Sequence, residues 1–360
     1  MDVITRKLRL NASAPLAFLT AIALAALIFL PSGASADTLL ITGGGSTFAY
    51  PMYAKWFEEY RKVAPEVRFT YQPTGSGAGI HDVMLGLVDF GGTDGPLNKV
   101  QMLDFSTHRN CEVLHFPMAL GADVPIYNLP GISHELNFTP EALARIFLGQ
   151  ITRWDDPAIA VANPGVAFSA HEISVVHRSD ASGTTYVWTD YLSKVSRDWK
   201  ERVGTSIAVL WPAGVPAKGN AGVAREISQT PYAIGYAELT YAVQNKIAYG
   251  KVKNAAGEFV KADFASVTAA AAGAAQNLPD DFRVSITNAP GAAAYPIASF
   301  TWMLIPSVVA DSAKRDALIG FLQWSLTKGQ DYLEPLSYAR LPGTLIAREE
   351  TAISKIASPR

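Results

Sequence analysis

From residue 38 onward the apolar positions follow two rhythms that replace each other along the chain. Thr38, Leu39, Leu40 and Ile41 make a short strand-like run that ends in Gly43-Gly44-Gly45-Ser46-Thr47-Phe48. Trp56, Phe57, Tyr60 and Val63 then recur at helical spacing, with Pro51 suited to a first turn and Pro65 as a stop. Val67, Phe69 and Tyr71 alternate with polar residues, which predicts a strand running into the loop Gly75-Ser76-Gly77-Ala78-Gly79. A second helix is expected over residues 80–88, where Val83, Met84, Leu87 and Val88 share one side, and Asp89-Phe90-Gly91-Gly92-Thr93-Asp94-Gly95-Pro96 follows it. Strand, glycine loop and helix, repeated, predict an α/β fold with ligand groups at the carboxyl ends of strands.

The same grammar continues. Thr139-Pro140-Glu141 is a helix start backed by Leu143, Ile146 and Phe147. Residues 173–178 read as a strand, and residues 179–185 as a polar loop opening a helix that carries Tyr186, Val187, Tyr191, Leu192 and Val195. The alanine-rich stretch 265–276 predicts a surface helix. A strand over residues 300–305 precedes an amphipathic helix from Ser312 to Leu326, with Ala317, Leu318, Phe321, Leu322 and Leu326 on its apolar side. No fixed-period repeat is present, which excludes a solenoid.

The first three dozen residues have a different character. Arg6, Lys7 and Arg9 precede a nearly unbroken apolar run from Ala14 to Leu30, and Ala34-Ser35-Ala36 has the form of a signal-peptidase site. A membrane anchor is the rival reading of so long a run, but Pro31, Ser32 and Gly33 before the small residues favour a cleaved signal peptide over residues 1–36 and export to the periplasm. The mature chain would then begin at Asp37, with about 320 residues, enough for two cores.

Charge and cysteine content narrow the field. The whole chain has 30 Lys and Arg against 32 Asp and Glu, and loss of the signal leaves a net charge of about −4, which argues against a nucleic-acid partner. With one cysteine, Cys111, no intramolecular disulfide forms, so stability outside the cytoplasm has to come from packing. Cys111 itself is expected to be a small buried hydrophobe. Asp37 stands where a lipoprotein would need a cysteine, so the product is expected to be free of a lipid anchor.

Candidate chemistry lies in four segments rich in Gly, Ser, Thr or Asp, three of which lead directly into helices. A helix N-terminus offers unpaired N–H groups and partial positive charge, so it holds an anion without a basic protein around it. Glycine allows close backbone approach, and Ser and Thr hydroxyls add rotatable donors. Ordinary caps and tight turns explain any one such loop; four of them beside an arginine favour an anion site. The most specific is Arg178-Ser179-Asp180-Ala181-Ser182-Gly183-Thr184. Its arginine offers a planar fork of donors, and Asp180 can hold that fork in place, either as a plain ion pair or as part of a ligand clamp.

These segments, together with Tyr71-Gln72, residues 148–156, Lys218-Gly219-Asn220-Ala221-Gly222 and Ala233-Ile234-Gly235-Tyr236, resemble in order and spacing the phosphate-binding proteins of high-affinity phosphate ABC importers. The resemblance spans most of the chain after the signal. It implies phosphate held by Thr47, Phe48, Ser76, Asp94, Arg178, Ser182, Gly183 and Thr184, with Asp180 supporting the arginine, and no cofactor or metal. Ala49-Tyr50 stands where the family commonly has a proline, and Gly77-Ala78-Gly79 replaces a second serine and glycines; neither departure removes a ligand group. The implied fold is the type II periplasmic binding protein, two α/β lobes joined by two crossover strands with the ligand cleft between them. The crossings are expected near residues 116–121 and 289–299, giving one lobe from residues 37–117 plus 297–360 and another from 118–296. The implied partners are inorganic phosphate and the permease and ATPase subunits of an ABC transporter, with the protein a monomer.

Three alternatives remain at this point: a binding protein for another oxyanion, a secreted phosphatase-like protein on the same scaffold, and a surface protein that uses the fold for signalling or adhesion. Against an enzyme, the sequence has no G-x-S-x-G, no Walker A and no H-E-x-x-H pattern, and its six histidines lack metal-ligand spacing. Asp155-Asp156 before Pro157 reads as a turn or cap in preference to an acid pair.

Overall fold

The computed structural model describes residues 38–359 apart from 133, 276 and 277. The expected signal peptide and its cleavage position lie outside the described residues. In chain order the strands are β1 (Leu39–Gly45), β2 (Val67–Gln72), β3 (Phe90–Thr93), β4 (Val113–Tyr127), β5 (Asn137–Phe138) and β6 (Ser174–Arg178). They continue with β7 (Val215–Ala217), β8 (Ala233–Glu238), β9 (Ala248–Tyr249), β10 (Lys251–Lys253), β11 (Phe259–Val260) and β12 (Ala298–Pro306). Nine of them run through one sheet in the order β2-β1-β3-β12-β4-β8-β6-β7, with β9 also paired to β4; β11-β10-β5 form a small second sheet.

Two parallel groups flank an antiparallel centre. β1 pairs in parallel with β2 and β3, and β6 does so with β7 and β8. Between them, β4 is long enough to serve both sides: residues 113–122 pair with β12, and residues 123–127 pair with β8. Each parallel strand feeds a loop and then a helix, so β1, β2 and β6 deliver their carboxyl ends to one region, as the α/β pattern predicts. The chain entering β12 is irregular over residues 289–297, where Asn288 N–H bonds the Pro296 carbonyl at 2.7 Å.

Most predicted elements occur, and the departures share a cause in close packing. The glycines Gly43-Gly44-Gly45 continue β1 instead of leaving it, because Gly43 lies under the Phe90 ring, where a Cβ would sit 2.1 Å from Cζ. The second helix begins at Ser76, four residues before its apolar pattern does. A Cβ on Gly79 would meet the Gly44 carbonyl oxygen at 2.5 Å, so glycine there permits helix-on-strand contact and does not mark a loop. Phe90–Thr93 is a strand within the glycine-rich segment that follows the second helix. The alanine-rich helix Phe264–Ala275 lies at the surface, with Ala265 and Ala272 exposed, but its other face is buried, where Val267, Ala270 and Ala271 pack toward β4 and β12. Small side chains allow that approach. Cys111 is half-buried at the edge of a small cluster around Phe105 and Val113, more exposed than expected. By contrast Ser312–Leu326 forms as predicted, with its five apolar residues buried.

Candidate functional site

Four helices begin within reach of one another: Tyr50–Tyr60, Ser76–Leu85, Gly183–Val195 and Gly219–Gln229. Their first turns are tied side to side. Gly183 N–H donates to Ser76 Oγ at 3.0 Å, and Asn220 donates to Thr47 Oγ1 from its backbone N–H at 3.3 Å and from Nδ2 at 2.9 Å. Asn220 Nδ2 also reaches Thr184 Oγ1 at 3.0 Å. Each start is fixed locally: the Ser182 hydroxyl caps its helix by accepting from Thr185 N–H at 3.1 Å, and Gly75, at φ 103°, turns the chain sharply into Ser76. Four partial positive charges therefore gather where the chain has little net charge to offer.

Arg178 ends β6 with its side chain 1 % exposed. Nε donates to Asp180 Oδ1 at 2.8 Å, Nη2 to Asp180 Oδ2 at 2.5 Å, and Nη1 to Thr184 Oγ1 at 3.1 Å. Asp180 also accepts from Gly219 N–H at 3.0 Å. Burial works against its charge, but the Arg178 hydrogen bonds and charge, with the Gly219 amide, hold its carboxyl below the usual range. One edge of the guanidinium is thus locked, which leaves hydrogens on Nη1 and Nη2 along the other edge.

Asp94 follows β3 and is buried among hydroxyls. Ser46 Oγ lies 2.6 Å from both of its oxygens, Thr301 Oγ1 donates to Oδ1 at 2.7 Å, and Ser76 Oγ stands 3.4 Å from Oδ2. Burial pushes its carboxyl up to about 6, with the Ser46 and Thr301 hydrogen bonds, the Arg178 charge and Ser76 pulling the other way. Thr47 and Phe48 are held through their carbonyls, by Tyr241 OH and Tyr338 OH, each at 2.6 Å.

All nine residues singled out in the sequence are brought together: Thr47, Phe48, Ser76 and Asp94 from the β1–β3 side, and Arg178, Asp180, Ser182, Gly183 and Thr184 from the β6 side. Sequence reading missed Asn220, which ties Thr47 to Thr184 and accepts from Glu238 N–H at 3.1 Å through Oδ1. Its signal was present, since Gly219-Asn220 is another glycine-and-polar start to a helix. Thr301 gave none, being one hydroxyl in an apolar strand. Asn220→Ala is expected to lower stability by about 1–3 kcal/mol, because it leaves a buried backbone donor unpaired; urea unfolding of the two proteins measures this, and an unchanged midpoint would deny Asn220 that role. Asp156 caps the short helix Pro157–Ala160 and Asp155 pairs with Arg153, as the turn reading required.

Fold and site together are those of a binding protein of the α/β class. A family model described as the PBP superfamily domain matches residues 31–328. A phosphate-binding protein PstS of Xylella fastidiosa (strain Temecula1) is 41% identical over 321 residues, covering 89% of this chain and 86% of that one. The PstS of Methanocaldococcus jannaschii is 38% identical over 327 residues, covering 85% and 83%. The chain belongs to the PBP superfamily and, within it, to the family of phosphate-binding proteins called PstS. Among solved structures it shares its fold with a phosphate-binding protein from Stenotrophomonas maltophilia, at TM-score 0.65, 18% identity and coverage of 87% and 93%. The phosphate-bound periplasmic protein PfluDING is similar too, at TM-score 0.68, 19% identity and coverage of 89% and 100%. Among the described residues no helix is long and apolar enough to cross a membrane.

Proposed function

We propose that this protein binds inorganic phosphate in the periplasm and delivers it to the permease and ATPase subunits of an ABC importer, working as a monomer without nucleic acid or cofactor. The observation that carries the reading is one buried cluster holding both kinds of group: converging helix N-termini with the free edge of Arg178 as donors, and Asp94 as an acceptor. Phosphate is an anion that still has a proton to give at neutral pH, so it uses both. The ligand groups are Thr47, Phe48, Ser76, Asp94, Arg178, Ser182, Gly183 and Thr184, with Asp180 orienting the arginine. Residues 37–117 plus 297–360 form one lobe and residues 118–296 the other, with phosphate drawing them together. The sharing of β4 between β12 and β8 supports this division, as does the contact of Gly183 with Ser76 and Asp94. The signal-peptide pattern expected from the sequence over residues 1–36 supports the location.

Selectivity follows from Asp94. When ionised it accepts the phosphate proton but faces sulfate charge against charge, with no hydrogen between them. Its pKa of about 6 makes this titratable. Above pH 6 discrimination against sulfate is expected to be strong. As pH falls through 6 the carboxyl becomes a donor, and sulfate should gain at least about tenfold on phosphate, roughly 1.4 kcal/mol. Asp94→Asn should show the weaker discrimination at every pH. Competition binding from pH 5 to 8 tests this, and a sulfate-to-phosphate ratio flat with pH in the wild type would remove Asp94 as the selectivity element. The same shift sets the sign for stability. A carboxyl whose pKa is raised by folding contributes most below its unfolded pKa near 4, and that contribution is lost as pH rises through about 6.

A further inference from the structure

Among the described residues near the candidate anion site, two buried acidic side chains occupy directly paired strand positions. Asp123 on β4 is the direct antiparallel partner of Glu238 on β8, so their side chains leave the same face of the sheet. That face is the site's own: Gly121, two residues before Asp123, lies against the Phe48 ring, where a Cβ would sit 2.5 Å from Cζ. Both acids are fully buried. Neither Asp123 carboxyl oxygen has a partner, and nor does Glu238 Oε1. Glu238 Oε2 accepts from Thr240 N–H at 2.9 Å and lies 3.5 Å from Tyr338 OH, the hydroxyl that holds the Phe48 carbonyl.

The charges around this pair are unfavourable to ionisation. Asp94 reaches both acids with its negative charge, and Arg178, the cation that reaches Asp123, is already locked to Asp180. The neighbouring phenols of Tyr236, Tyr295 and Tyr338 are held neutral by burial. Two carboxylates directly opposite each other in a dry interior do not both ionise at neutral pH, and an anion arriving at Arg178 adds to the same repulsion.

We propose that Asp123 and Glu238 are affinity-determining residues of the anion site, a pair that keeps at least one proton at neutral pH and whose loss of it on the alkaline side weakens anion binding. The inference rests on the phosphate reading. Burial first, then the Asp94 and Glu238 charges, raise the Asp123 carboxyl well above its usual range, which agrees with the geometry. Because a bound anion raises it further, binding takes up a proton, and affinity falls as pH rises.

Asp123→Asn keeps the shape and leaves Glu238 with no carboxyl opposite it, so the pair's second ionisation is gone. The variant's phosphate affinity, measured by calorimetry from pH 5.5 to 9, is to be divided into that of wild type, which cancels the ionisation of phosphate itself. The wild-type disadvantage should grow at least about fivefold across that range, within the tenfold per pH unit that one linked proton allows. Glu238→Gln should show the same trend, and the double variant no more than the larger single effect. A ratio constant within about twofold for both single variants would overturn the proposal. Thermal melts without phosphate separate this from failure of the phosphate reading. Wild type, whose buried carboxyl has a raised pKa, should lose stability relative to Asp123→Asn as pH rises from 5 to 9. If no protein binds phosphate but the melts diverge in this way, the proton-holding pair stands and the ligand is wrong; parallel melts would remove the pair.

Discussion

Replacing Arg178 with alanine is expected to weaken phosphate binding at least about a hundredfold, or roughly 3 kcal/mol. The guanidinium is nearly inaccessible to water, so its charge acts in a medium that screens it poorly. Its loss would leave Asp180 without its cation, Thr184 Oγ1 without one donor, and Asp94 facing an anion with less to offset it. Arg178→Lys keeps the charge but cannot be held along one edge by Asp180 while offering the other, so it should fall between the two. Calorimetry reads both variants. Affinity of Arg178→Ala within about threefold of wild type would mean that the cleft holds its anion without this residue.

Gly183→Ala is expected to cost at least as much, by a different route. A Cβ there would lie 2.4 Å from Asp94 Oδ2, 2.5 Å from Ser76 Oγ and 2.7 Å from the Asp94 backbone nitrogen. A hydroxyl can rotate away, but a backbone nitrogen at the end of β3 moves only with its strand, so the methyl group holds the β6 side away from the β3 side. The expected outcome is a hundredfold or greater loss of phosphate affinity. X-ray scattering should also show the phosphate-saturated variant as open as the phosphate-free one. Gly343→Ala is the control, since that glycine also begins a helix but has nothing within 4 Å of the added carbon. A Gly183→Ala protein that closes and binds like wild type would show that this contact is not part of the bound form.

What was legible in the sequence and what was not divide along a physical line. Periodicity located the helix Ser312–Leu326 and the strand Val67–Gln72 because each has one buried face and one wet one, and the alternating burial of β2 reproduces the alternation of its residues. It failed where backbone meets backbone. Gly45 and Gly79 had the composition of loops, yet they lie in a strand and a helix that approach more closely than side chains allow. The buried face of the alanine-rich helix was not visible for a related reason, since smallness is read as exposure when it serves close packing.

The candidate site was visible in the sequence through its resemblance and through polar, glycine-rich helix starts such as Ser182-Gly183, with Arg178 and Asp94 at strand ends. The groups that support it were not, because they come from strand interiors and from distant parts of the chain. Thr301 and Tyr338 reach Asp94 and Phe48 across more than two hundred positions. Asp123 had a signal of its own, a lone charge in the apolar run of β4, which only its burial beside Glu238 makes meaningful.

The most direct test of the account is a calorimetric titration of the mature protein with inorganic phosphate at pH 8, after unfolding and refolding to strip bound anion, repeated in excess sulfate. The expected result is saturable binding of one phosphate per chain that sulfate does not displace. No binding up to millimolar phosphate, or displacement by sulfate at comparable concentration, would contradict it.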